Sequence, residues 1–421
     1  SCVAVAGLDA LAVDAVAASR TPAGLVQLQR PEISVVGAFN SVSEEFRSSD
    51  LPDLNSDHND RSIELNFLSV VYPLPVSLGT SNISLSLSYQ RKFDFSRAFD
   101  VALTNMSDIN GTPINTITTH DFDQSGGFAT ISPSIAFELT EKLSIGASFN
   151  IWRSTFFSEN GWEKEVNSVA TTTIGTGEPQ ITTQTSFEKY DDFEAENYTI
   201  GVLWRPTPKL SLGIRYDTGF TGDVDFQGRL IRNGMELANI REDREIRFPP
   251  TISWGASYRF SDRFMMALDM SRTDWDDFYV ESEAGQKFSL VDGTDVDDPD
   301  IATDYDPTMT VRLGGEYVFI PKNTGVELNR LWSVRGGLFF DQEPASGRSI
   351  AAGRPIGDGK PDNFYGFAAG VGLLAFQRFN FDVAYQFRYG NDVNSDFITG
   401  VESFSEDVIQ HRLVFSTVIY F

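Results

Sequence analysis

The chain has 421 residues, with 59 Asp+Glu against 33 Lys+Arg, a net charge of -26 and 41% hydrophobic residues. No run of about 18 apolar residues occurs and the mean hydropathy is -0.19, which excludes a bundle of membrane-spanning helices. Acidity without any Lys/Arg cluster argues against a nucleic-acid partner, and Cys2, the only cysteine, can form no internal disulfide.

Residues 1–30 are rich in Ala and Val and carry Thr21-Pro22-Ala23-Gly24, which reads as a compact non-strand segment ahead of the first strand. From there the side chains alternate. Ile83, Leu85, Leu87 and Tyr89 share one parity, as do Leu143, Ile145, Ala147 and Phe149, and Tyr198, Ile200, Val202 and Trp204. The pattern continues in Ile252, Trp254, Ala256, Tyr258 and Phe260, in Met309, Val311, Leu313, Tyr317 and Phe319, and in Trp332, Val334, Leu338 and Phe340. Phe379, Phe381, Val383, Tyr385, Phe387 and Tyr389 repeat it, and Leu413, Phe415, Thr417, Ile419 and Phe421 end the chain on it. Period two means strands with one oily and one wet face.

About fourteen strands are predicted, near 31–46, 62–76, 82–97, 126–139, 142–157, 185–206, 209–229, 243–260, 263–284, 308–320, 330–342, 362–376, 378–390 and 406–421. Links such as Thr140-Glu141-Lys142 and Pro206-Thr207-Pro208 are short, whereas 47–61, 98–125, 158–183, 230–242, 285–307, 343–361 and 391–405 are long and polar. An even number of long antiparallel strands, with short turns at one end and long loops at the other, is the plan of a bacterial outer-membrane barrel. A soluble sandwich or propeller also alternates, but its strands average about 5–6 residues and these are about twice as long. The expected fold is therefore all-β: a transmembrane antiparallel barrel over 31–421, its long loops outside, with residues 1–30 plugging the lumen. Fourteen strands enclose more space than wall side chains fill.

The wet parity carries Arg215, Asp217, Arg259, Asp269, Arg312, Glu316, Arg335, Asp341, Asp382 and Arg388, which are expected to pair across strands. Asp295, Asp297, Asp298 and Asp300 lie in one acidic loop and are candidate Ca²⁺ ligands, although their spacing does not fit an EF-hand. Divalent ions joining such loops to anionic outer-leaflet lipid or lipopolysaccharide are the other reading. Catalysis is not expected. His58 and His120 lie in loops, His411 lies on the oily parity, and no nucleophile pairs with any of them. No charged and apolar leader precedes Ser1, so a secretory signal is expected to have been removed or left out.

The stretch from Val13 to Ser34 resembles the N-terminal hatch of the FadL/TodX-type outer-membrane transporters of long-chain fatty acids and other hydrophobic compounds. The matching residues are Ser19, Arg20, Thr21, Pro22, Ala23 and Pro31, with Thr21 where the family usually has Asn. Leu143 to Asn150, Tyr216 to Gly228, Phe248-Pro249-Pro250, Phe340-Asp341 with Pro344, and Pro361-Asp362 are similar to family strands and loops. The resemblance implies a plugged barrel of fourteen strands. It also implies capture of a fatty acid or other hydrophobic small molecule, hatch movement, lateral release through a gap near the second and third strands, no cofactor, and insertion by the barrel-assembly machinery. Pro73 and Pro75, which donate no ladder hydrogen bond, are candidates for that gap. Leu25, Phe156, Met265, Phe339 and Phe364 are the candidate pocket residues. A general diffusion porin and a family-related barrel that binds a partner in a secretion or surface complex are the alternatives.

Overall fold

Each strand of a barrel in lipid must satisfy its backbone on both sides, and alternation then sends every second side chain outward. In the computed structural model, which describes residues 21–49, 51–75, 82–289, 295–296, 305–321, 329–344, 349–351, 354–356, 360–394 and 404–421, the sequence does this. In chain order the strands are β1 (Glu32–Ser48), β2 (Ser56–Pro73), β3 (Ile83–Asp94), β4 (Arg97–Ile109), β5 (Thr112–Thr140), β6 (Leu143–Trp152) and β7 (Gly161–Ile174). They continue as β8 (Gln180–Thr207), β9 (Leu210–Asp217), β10 (Phe220–Arg232), β11 (Met235–Phe248), β12 (Thr251–Arg259), β13 (Phe264–Thr273), β14 (Tyr279–Ser282) and β15 (Lys287–Phe288). The last are β16 (Thr308–Phe319), β17 (Arg330–Glu343), β18 (Ser349–Ala351), β19 (Arg354–Ile356), β20 (Asp362–Ala375), β21 (Phe379–Val393) and β22 (Phe404–Tyr420).

Fourteen of them close a barrel in the order β1, β2, β3, β5, β6, β8, β9, β12, β13, β16, β17, β20, β21 and β22, all antiparallel. The ring is shut by β1 and β22, paired from Glu32 with Tyr420 to Ser48 with Phe404. Val70, Leu87, Ile200, Ile214, Leu338, Val383 and Phe415 are among the apolar side chains exposed on its outer face. Trp204, Tyr258, Phe260, Phe319, Trp332 and Phe379 are exposed near the short turns, where an interfacial aromatic girdle belongs.

The expected strand count holds, but the long polar stretches are not all loops. At the long-loop end β4, the first half of β5, β7, the first half of β8, β10, β11, β14 and β15 extend the same sheet beyond the barrel. The expected strands 209–229 and 243–260 are each divided. The first breaks at Thr218-Gly219 and the second at Pro249-Pro250, so β9 and β12 pair with one another in the barrel while β10 and β11 join the projecting sheet. Two unpaired prolines or a glycine at the rim let the chain leave the ladder there. On β5 and β8, which run through both parts, the bend falls at left-handed residues: Gly126 with φ 123° and Asp192 with φ 50°.

An aromatic core fills the junction between projection and barrel. Phe128 stacks on Phe193 at 4.1 Å, Trp162 on Tyr190 at 4.0 Å, Trp152 on Phe220 at 4.9 Å and Phe220 on Phe248 at 5.0 Å. Arg244 lies over Phe226 at 3.3 Å and donates to the Tyr190 hydroxyl at 3.1 Å. In this projecting part of β8, burial pushes the Tyr190 phenol up to about 12, so the hydroxyl stays neutral and able to accept that bond. Phe248→Ala, which removes a ring touching Phe93, Phe128, Trp152, Phe193, Phe220 and Phe278, is expected to cost about 3–5 kcal/mol. Limited proteolysis should then cut the projecting strands faster while the barrel resists; unchanged cleavage would show that this core does not hold the projection.

Candidate functional site

Three arrangements meet in the lumen. At the short-turn end, Pro22–Gln27 forms a short 3-10 turn segment of six residues, begun by a proline whose fixed φ suits a first helical position. Ala23, Leu25 and Val26 are buried: Ala23 against Leu203 and Ala267, and Leu25 and Val26 against Val71 and Ala136. The turn rests where the wall has no side chains. Gly146 on β6 and Gly201 on β8 face one another in register, and a Cβ on Gly146 would fall 2.5 Å from the Ala23 backbone nitrogen.

Along the β1–β2–β3 wall the ladder is incomplete. β2 pairs with β1 over most of its length, from Val71 with Glu32 to Ser56 with Phe46. Its pairing with β3 runs only from Pro73 with Ser84 to Phe67 with Gln90. Beyond that point β3 bulges at Arg91 to Phe93 and follows β5, and β4 pairs with β5 alone. Among the described residues, 56–66 of β2 thus have no strand partner on that side, and Ile63 there is 84% exposed. Among the described residues, side chains cross the seam, with Arg97 to Glu44 at 3.1 Å, Thr104 to Asp53 at 2.6 Å, Arg91 to Glu64 at 3.7 Å and the Phe99 ring against Phe46 and His58.

Inside this seam lies a cavity of about 490 Å³. Asn40, Glu64, Asn66, Gln90, Arg91, Asp94, Arg312, Asp341 and Arg412 line it together with Val36, Phe67, Phe93, Phe339 and Val414. A second cavity of about 300 Å³ adjoins it toward the long-loop end, lined by Glu44, His58, Arg97, Phe364 and Arg388 among others.

The sequence-predicted residues divide accordingly. Phe339 and Phe364 line the two cavities, and Arg388 sits over the Phe364 ring at 3.5 Å. Leu25 belongs to the buried turn, and Met265 is half-buried beyond both cavities. Phe156 lines neither cavity: it is 99% exposed, because β6 ends at Trp152 and the chain leaves the wall before reaching it. Pro73 stands opposite Ser84 within the paired part of β2, and the Leu74 N–H still donates to the Ile83 carbonyl at 2.8 Å; the ladder stops farther up, at Phe67. Pro75 follows in a bend. Thr21, Pro22 and Ala23 are in the buried turn region, whereas Ser19 and Arg20 lie outside the described residues. Asp297, Asp298 and Asp300 are also outside them, and Asp295 forms an isolated bridge with Phe288. Arg153, exposed just past the end of β6, pairs with Glu194 at 3.2 Å.

The expected pairing of lumen charges across strands holds for Arg335, which bonds Glu316 at 2.8 Å and Asp382, and for Arg388, which bonds Asp341 at 3.0 Å; Asp269 stands opposite Arg312, and Arg215 pairs with Asp217 along its own strand at 2.7 Å. Sequence reading missed Asn40, Asn66 and Gln90, since lone amides on the wet parity carry no signal of what they face.

A family profile described as outer membrane protein transport protein (OMPP1/FadL/TodX) matches residues 2–406. No curated protein matches the chain by sequence. Among solved structures, a Pseudomonas aeruginosa FadL homologue is 14% identical, with 98% of this chain and 95% of that chain covered and a TM-score of 0.60. The Pseudomonas putida toluene transporter TodX is 13% identical, with 100% and 97% covered and a TM-score of 0.55. The CymD monoaromatic hydrocarbon channel is 15% identical, with 98% and 94% covered and a TM-score of 0.51. At these identities the likeness to the solved structures is one of fold. With the profile spanning nearly its whole length, the chain belongs to the OMPP1/FadL/TodX family of outer-membrane transport proteins, which move hydrophobic compounds.

Proposed function

We propose that this protein takes a small hydrophobic or amphipathic compound from the long-loop side, which faces outward, into the lumen cavity and releases it sideways through the seam between β2 and β3. The N-terminal segment, of which the turn Pro22–Gln27 is the described part, acts as the hatch that blocks the direct path at the short-turn end. No catalytic step and no cofactor enters this reading. The observation that carries it is the missing ladder over residues 56–66 of β2, beside a cavity that ends at the same residues. A closed wall would force an apolar compound through water at a cost of about 0.8 kcal/mol per CH₂ relative to lipid, and a sideways exit avoids that cost.

The seam can be tied shut. Asp53 and Thr104, hydrogen-bonded at 2.6 Å on its two sides, are replaced as Asp53→Cys and Thr104→Cys in a Cys2→Ser background and joined by a short cleavable bis-maleimide. Uptake of a radiolabelled aromatic hydrocarbon into cells should fall sharply and return on cleavage, as when a motion that limits release is blocked. Full uptake by the cross-linked protein would rule out the seam as the exit.

A further inference from the structure

The first residue of β3 beyond the end of the β2–β3 ladder, which stops at Phe67 and Gln90, is Arg91. It has the outward parity of Leu85, Leu87 and Tyr89, but β3 bulges immediately after it: Arg91 stands opposite Ala129 and Phe93 opposite Phe128, so Lys92 has no place in the ladder with β5. A bulge re-aims the side chains beside it. Here the Arg91 side chain comes to lie in the lower end of the seam.

The wall is shaped to receive it. Arg91 Nη2 donates to the Gly126 carbonyl at 2.9 Å and to Asp94 Oδ1 at 3.1 Å, both on the β3–β5 side, while Nε stands 3.7 Å from Glu64 on β2. The contact that crosses the seam is the longest of these. The guanidinium lies over Gly127, where a Cβ would fall 2.8 Å from Nη2 and 3.1 Å from Cζ, a seat that glycine leaves open.

Two spaces meet at this side chain. On the lumen side is the cavity of about 490 Å³. On the other is a groove of about 470 Å³, lined by Phe157, Ser158, Glu159, Glu163, Lys189 and Asp191 among others. The groove belongs to the outside of the wall: Phe157, 53% exposed, packs its ring 5.4 Å from that of Tyr89. Among the described residues, Arg91 alone lines both spaces.

From this placement we infer that Arg91 is the latch of the seam and sets the size of compound that leaves through it. Cargo in the cavity reaches the outer groove once the guanidinium releases Glu64 and moves off Gly127, with Asp94 still beside it to neutralise the charge. A single ring needs a smaller displacement of the latch than a fused polycycle does. This rests on the reading of the seam as the exit and names the residue that restricts it.

The test is uptake of radiolabelled toluene and phenanthrene, compared as a ratio, by cells carrying the unaltered protein or Arg91→Ala, each corrected for cells without the protein. Removing the guanidinium joins the two spaces, so phenanthrene uptake should rise several-fold relative to toluene. A residue that merely held the wall together would change both alike. An unchanged ratio with toluene uptake intact, or loss of both compounds from a folded Arg91→Ala, would overturn the latch and leave the exit at the seam standing. If the unaltered protein takes up neither compound, the transport reading fails together with the latch. Should Arg91→Ala give no heat-modifiable barrel, Glu64→Gln decides by the same ratio, since it cuts the ion pair across the seam and leaves the bulk of both side chains in place: the ratio should rise, and no rise overturns the latch.

Discussion

Gly146→Ala should turn a closed barrel into a leaking one. The added methyl would sit 2.5 Å from the Ala23 nitrogen and 2.7 Å from the Pro22 carbonyl oxygen, and both of these are backbone atoms that no rotamer change can move. The turn therefore has to lift off the wall. In lifting, it uncovers Leu25 and Val26, each of which gains about 1.5–3 kcal/mol from burial in place. In planar bilayers the unaltered protein is expected to pass almost no current and the variant a steady one. Gly201→Ala is the internal control: its nearest atoms are the Thr21 Cγ2 at 3.0 Å and the Pro22 Cδ at 3.2 Å, so a small shift relieves it and the leak should be slight. A silent Gly146→Ala, with heat-modifiable gel mobility confirming a folded barrel, would show that the turn is not what seals the lumen.

The second large effect is expected at Arg335. Its side chain is 6% exposed and holds Glu316 on β16 and Asp382 on β21, reaching the latter across β20. Gly372 makes that reach possible, since a Cβ there would lie 2.5 Å from Asp382 Oδ1 and 3.0 Å from Arg335 Nη1. Arg335→Met leaves two carboxylates facing each other without a cation, and removing one partner of a buried ion group costs about 3–5 kcal/mol. Urea unfolding in micelles should show a loss of that size, and adding Glu316→Gln and Asp382→Asn should recover most of it. If the triple variant is no more stable than Arg335→Met alone, the loss comes from packing and not from the stranded charge.

What was legible in the sequence follows from where physical constraints are local. Lipid on one side and a wet lumen on the other impose period two on each wall strand, so Phe379 to Tyr389 and Leu413 to Phe421 announce themselves and the count of fourteen holds. In the projecting sheet both faces meet water over much of its length, and Thr-rich β7 and the first half of β8 therefore have no oily parity and read as loops. The breaks at Thr218-Gly219 and Pro249-Pro250 were hidden for a similar reason: the residues on either side keep alternating, and only the change of partner strand marks the join. That Phe339 and Phe364 point inward was legible because parity is local information. The gap was expected near Pro73 and Pro75, where the sequence lacks donors, whereas the β2–β3 ladder ends at Phe67, where β3 leaves β2 and stays with β5, and no residue of β2 encodes that parting.

The two longest strands have a mechanical meaning. β5 carries the Ala136 on which Leu25 packs, β8 carries the Gly201 beneath Thr21, and both continue without interruption into the sheet above. At about 3.3 Å per residue, the strand from Gln180 to Gly201 is a strut about 70 Å long, more than twice the thickness of the hydrocarbon layer. Its one left-handed residue is Asp192, and that of β5 is Gly126, at the same rim. A load applied to the far tip, by a colliding molecule or a neighbouring surface, is therefore carried along these two strands to the staves that hold the N-terminal turn.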